Sequence, residues 1–150
     1  MVNPFDLKAA LTAKHAQHVV LIHFPLALFI AGAAFDFVAH WTKRQSLAAA
    51  AYCNLLVAAV ASVPAMITGL LAWQWQLEGQ RLKGTLLLHL LLGVSSSALI
   101  CLVWFMHWNG RRRQNEALRT FCLPLEALTA GLLALTGHLG GFLSGVNGAG

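Results

Sequence analysis

The sequence predicts an all-α integral membrane protein: a single four-helix bundle, up-down-up-down, with the N- and C-termini outside. Three observations predict it. The 150 residues are 58% hydrophobic and only 10% charged, against about 25% charged in a soluble domain, and the mean hydropathy is +0.67. The apolar residues fall into four long runs, each able to supply the roughly 20 residues that cross a bilayer as a helix. Tryptophan and basic residues gather at the ends of those runs, where membrane helices are anchored.

Residues 1–17 place Val2, Phe5, Leu7 and Leu11 among Asp6, Lys8 and Lys14. That mixture suits either a short amphipathic helix on the membrane surface or a partly ordered tail. The first run, about residues 18–39, stops at His40-Trp41-Thr42-Lys43-Arg44. It is too long for a signal-peptide core and no convincing cleavage site follows it, so it is expected to be retained. The second, about 47–73, carries Pro64 in its interior, a kink of the kind membrane helices tolerate. The polar stretch Gln74 to Lys83 turns the chain into the third run, about 84–108. After the basic loop Asn109 to Arg119 comes the fourth, about 121–144. Pro124 is expected in its first turn, where a missing N–H matters little. A glycine-rich tail, Gly145 to Gly150, follows. Four spans use almost the whole length, so residues 1–150 read as one transmembrane domain without room for a second core.

Orientation is read from the loops. Lys43 and Arg44 in the first loop, and Arg111, Arg112, Arg113 and Arg119 in the third, outweigh Arg81 and Lys83 in the second, which Glu78 offsets. The positive-inside bias places loops one and three in the cytoplasm. Trp41, Trp104 and Trp108 then mark one interface, and Trp73 and Trp75 the other. The net charge of +5 is on this reading a topology signal, and nucleic acid is rejected as a partner. Cys53, Cys101 and Cys122 stand alone in apolar sequence, with no CxxC metal or redox motif and no CxxCH haem attachment. They are expected to be small core residues.

Function is sought in the histidines, because an ionisable side chain within a span is a functional candidate. His23 lies five residues into the first span, His89 five into the third, and His138 about five before the outward end of the fourth. At 1.5 Å per residue all three fall in one layer, roughly 7 to 8 Å below the outer edge. By helical phase His23 aligns with Ala27, Ile30 and Ala34, and His89 with Gly93, Ser96 and Ile100. His138 aligns with Gly131, Ala134, Gly141, Phe142 and Gly145. A small residue one turn from each imidazole leaves space for a flat ligand or for another helix. Gly137, Gly141 and Gly145, at every fourth position, also read as close helix packing.

Three readings of this layer stand side by side. A b-type haem takes two neutral imidazoles across a bundle with apolar walls. In an up-down-up-down bundle spans one and three are diagonal, so His23 and His89 would hold the haem iron, with Ala27, Gly93 and Ser96 beside them. His138 would be an alternative ligand or a wall residue. His18, about 140° round the helix from His23, would stand outside that ligand set and meet a haem propionate. Alternatively, His23, His89 and His138 form a three-histidine Zn or Cu site with an open position. In the third reading each histidine bonds a carbonyl or hydroxyl of the next helix and ties the bundle together without a cofactor.

His40 and His107, at the cytoplasmic span ends, are expected to snorkel to the interface. Asp36 and Glu126, the only acidic residues inside spans, are expected to pair with Lys43, Arg44 or Arg119. No nucleophile–base pair, phosphate loop or metallohydrolase motif is present, which makes an independent enzyme the weakest reading.

The chain also resembles a bacterial group of small four-span membrane proteins of unknown function, whose first span carries a pattern like H-P-x-x-V-H-F-P. Here the pattern reads His18-Val-Val-Leu-Ile-His23-Phe-Pro25, with Val19 in place of the first proline. Further matches are Thr68-Gly-Leu-Leu71, Leu88-His89 and Gly137-His-Leu-Gly-Gly141; Ala72 stands where members often have an acidic residue. The resemblance implies a multi-pass protein of the bacterial inner membrane and marks His23 and His89 as the histidines to test, without supplying an activity. The leading expectation is electron transfer through one haem b, in a small membrane cytochrome or the haem subunit of a larger respiratory or photosynthetic complex. A bis-histidine iron has no open position, so the protein would be a carrier. Its partners would be the lipid bilayer and other membrane subunits, a periplasmic cytochrome or quinol. The alternative is a cofactor-free accessory subunit packing through its glycine-rich fourth span.

Overall fold

Long apolar runs, two of them closed by left-handed residues, set where this chain is helical. The computed structural model describes residues 16–76, 79, 81–114 and 116–144, with the backbone alone for residues 16, 76, 116 and 119. The N-terminal segment expected to lie on the membrane surface, Glu78, the Arg119 side chain, and Gly145 with its tail lie outside the described residues. Four helical stretches are long and apolar enough to cross a membrane: span one Gln17–Thr42, span two Gln45–Trp75, span three Gly84–Arg113 and span four Thr120–Leu143. Among the described residues there is no strand.

Span one is two helices in series, Ala16–Leu21 and His23–Thr42. Between them Ile22 keeps a right-handed helical backbone (φ −63°, ψ −24°), and the bond to the Leu21 carbonyl is missing because Pro25 has no N–H to donate. The span ends where Lys43 turns left-handed (φ 56°) and its N–H caps the Ala39 carbonyl. Gln114 ends span three in the same way, φ 48°, on the Gly110 carbonyl. A left-handed residue just past the last turn is a common helix stop. Both stops carry basic residues, which suits the negative end of the helix dipole.

Span two runs through Pro64, and the Thr68 hydroxyl donates to the Pro64 carbonyl at 2.8 Å. The last helix begins at Glu116. Pro124 therefore sits in the helix interior and not in its first turn, because helix starts well before the apolar run does.

The spans meet their neighbours in the ring one-two-three-four, and span one closes the ring against span four. Spans one and three are diagonal. The core is small: Phe29, Leu55, Ala58, Ala59, Ile100 and Val103. Only 17% to 28% of each span's most apolar window is buried, so most of each helix presents apolar side chains outward, as helices in lipid do. Of the cysteines only Cys122 is buried; Cys53 and Cys101 are exposed, which corrects their expected place in the core. Both lie on outward faces of helices whose inner stripe is narrow.

Gly32 makes the tight approach of spans one and two. A Cβ there would lie 3.0 Å from Leu55 Cδ2 and Cγ and 3.3 Å from Asn54 Cβ. Gly32→Val should therefore destabilise the bundle by about 1–3 kcal/mol, the usual penalty of overpacking. Gly131→Ala, where an added Cβ meets nothing within 4 Å, should be neutral or mildly stabilising. Thermal unfolding in detergent checks the pair; equal midpoints for both variants would remove Gly32 as the contact that fixes the first two spans.

Candidate functional site

The histidines and acidic side chains inside the spans gather at the two ends of the bundle. At the end where loops one and three leave it, Asp36, His107 and Glu126 come together. Asp36 is six residues before Thr42, His107 six before Arg113 and Glu126 six after Thr120, a common depth of roughly 9 Å. Each lies on the inner stripe of its helix: Asp36 with Phe29 and Gly32, His107 with Ile100 and Val103, Glu126 with Cys122 and Thr129.

His107 Nε2 is 2.7 Å from Glu126 Oε1 and 3.8 Å from Asp36 Oδ2. The residues are 4%, 2% and 5% exposed for His107, Glu126 and Asp36 respectively. This cluster corrects two expectations at once. His107 does not snorkel outward, because its inner-face position meets two carboxylates. Asp36 and Glu126 pair with it, while Lys43 and Arg44 stay exposed. Arg111 reaches span two, donating from Nη2 to the Ala48 carbonyl at 2.9 Å and lying over the Tyr52 ring. His40 is half-buried with its ring edge-on to Trp41.

The other end holds the expected histidine layer, with a different set facing inward. His18 is half-buried, its Nδ1 3.2 Å from Thr68 Oγ1 on span two. The Thr68 hydroxyl hydrogen is used on the Pro64 carbonyl, so Thr68 accepts and His18 Nδ1–H donates. His89, also half-buried, donates from Nδ1 to the Thr136 carbonyl of span four at 3.0 Å. In the neutral His89 ring Nε2 is then the lone-pair nitrogen, and the His18 ring is held by the Ala65 backbone as well as by Thr68. Each ring fills the place of a missing side chain: a Cβ on Gly69 would come within 2.9 Å of His18 Cε1, and one on Gly140 within 3.1 Å of His89 Cε1.

His23 faces out and its Nδ1 returns to its own helix, 2.6 Å from the Val19 carbonyl. His138 is exposed as well, edge-on to Phe142. Ala27 is exposed beside His23, whereas Gly93 is half-buried near the Thr136 methyl and Ser96 is buried with Oγ 3.4 Å from Thr136 Oγ1. The structure thus brings His18, His89, Gly93 and Ser96 into the bundle and leaves His23, His138 and Ala27 on its surface.

Of this polar set, the Asp36–His107–Glu126 cluster has the most at stake for stability, since it holds three ionisable groups away from water. His107→Ala should destabilise by about 3–5 kcal/mol, because two buried carboxylates then face each other unpaired. Adding Asp36→Asn and Glu126→Gln to that variant should recover much of the loss. Melting in detergent reads both, and an unchanged midpoint for His107→Ala would show that the cluster contributes nothing.

A family described as Predicted membrane protein (DUF2231) matches residues 14–150, and the chain belongs to that family. No curated protein and no solved structure matches the chain.

Proposed function

We propose that this DUF2231 membrane protein is an electron carrier holding one haem b between His18 and His89. The observation that supports it is the anchoring the two imidazoles share: each Nδ1 is held on a neighbouring helix, which suits Nε2 as the ligating nitrogen. Metal-bound histidines ordinarily anchor their second nitrogen in this way. His18 takes the role first expected of His23, because it stands seven residues before Pro25 and so shares the inner stripe of span one with Pro25, Phe29 and Asp36, about 140° round the helix from His23.

When bound, haem b supplies one-electron transfer. The chain's own part is to orient the two rings through Thr68 and the Thr136 carbonyl, and to surround them with apolar helix. With the orientation expected from the basic loops, His18 and His89 would lie near the outer leaflet of a bacterial inner membrane, where quinol, a periplasmic cytochrome or other subunits of a respiratory or photosynthetic complex would exchange electrons. A second reading draws on span four. Gly131 and Gly137 open onto empty space, which suits close packing against a partner helix in a cofactor-free accessory subunit.

A reduced-minus-oxidised visible spectrum and a pyridine haemochrome assay on the detergent-purified protein test the proposal. The expected result is a b-type spectrum at about one haem per chain, lost in His18→Ala and in His89→Ala and kept in His23→Ala and His138→Ala. Stable protein that takes up no haem on addition would overturn it and favour the accessory subunit. Loss of the spectrum in His23→Ala with retention in His18→Ala would overturn the ligand assignment.

A further inference from the structure

We propose that Asp36, His107 and Glu126 form a binding site for one divalent cation of the Zn²⁺ class, held between spans one, three and four. Each residue offers one donor atom, and the three donors lie within 4.8 Å of one another. Donors around a tetrahedral ion with bonds of roughly 2.1 Å are about 3.4 Å apart. The distances of 2.7 Å to Glu126 and 3.8 Å to Asp36 bracket that value, so sub-ångström adjustments of side chains bring the imidazole and both carboxylates onto one ion.

Charge points the same way. Two carboxylates and a neutral imidazole carry two negative charges in an apolar interior, and a divalent cation cancels them. Protonation of His107 and of one carboxyl also reaches neutrality, but it leaves Glu126 Oε2 as it stands: buried and without a hydrogen-bond partner among the described residues. A buried carboxylate oxygen in that state calls for an explanation. A cation chelated by Glu126 engages both of its oxygens.

The donor chemistry narrows the ion. One nitrogen with two carboxylates suits Zn²⁺ and its first-row neighbours, and it falls short of the six to eight oxygens that Ca²⁺ takes. The site is distinct from the histidine pair at the other end and does not depend on haem there.

The test uses the full chain in detergent, stripped with chelator, dialysed against Zn²⁺ and assayed for metal, with Co²⁺ as an optical probe. The expected result is one Zn²⁺ per chain and the visible bands of tetrahedral Co²⁺. In the near-isosteric double variant Asp36→Asn, Glu126→Gln, affinity should fall more than about 100-fold, beyond what outer-sphere partners contribute. His18→Ala and His89→Ala should bind as the wild type does. Should the double variant not fold, the wild-type Co²⁺ spectrum decides: tetrahedral bands support the site, and the spectrum of hydrated Co²⁺ overturns it. No uptake of Zn²⁺ or Co²⁺ by the wild type, or uptake that survives the folded double variant, also overturns it.

Discussion

A polar group inside a hydrocarbon layer has to find its partner within the protein, and the contact between His107 Nε2 and Glu126 Oε1, 2.7 Å long, shows how far that requirement shapes this bundle. It joins span three to span four, and Asp36 extends it to span one. Lipid tails are as apolar as leucine, so burying Phe29 or Leu55 between helices yields little of the drive it would yield in water. What fixes the helices relative to one another is close packing, together with polar contacts at both ends of a small core. At the far end His18 ties span one to span two through Thr68, and His89 ties span three to span four through the Thr136 carbonyl.

Those ties require room, and glycine provides it. His18 lies over Gly69 closer than a methyl group would allow, and His89 lies over Gly140 at a distance that a methyl group would make tight. Gly32 does the same for the Leu55 side chain. The glycines thus divide into two groups with different work. Gly32, Gly69 and Gly140 admit a specific neighbour, whereas Gly131 and Gly137 face open space. Every fourth position being glycine in span four does not by itself say which group a residue belongs to.

The architecture was legible because it depends on length and hydropathy, and four runs of apolar residues leave few alternatives. Depth was legible too: the histidines near the span ends do lie near one end of the bundle. Lateral direction was not. Counting 100° per residue sets His18 and His23 about 140° apart without saying which of them faces the core; the buried stripe of Pro25, Phe29, Gly32 and Asp36 takes in His18, while His23 bonds its own backbone. The Asp36–His107–Glu126 cluster was missed because each residue stands close to a basic loop, and a charge beside a loop reads as solvated. A signal was present. The only two acids inside spans and His107 all lie six residues from the ends of their spans on the same side, the same depth argument that picked out the outer histidines.

Span three carries one residue of each polar site, His89 and His107, eighteen positions apart and hence on the same face after five turns. The intervening inner positions are Ser96, Ile100 and Val103, all buried. Ser96 belongs to the His89 end through Thr136, and Ile100 and Val103 belong to the apolar core with Phe29 and Leu55. A chain of hydrogen bonds along this face is therefore interrupted by apolar side chains, and the two sites are roughly 27 Å apart. Proton or ion movement between them would need the core to open. The bundle is better understood as two chemically independent ends, each joined by its own polar contacts, with a packed apolar middle that insulates one from the other.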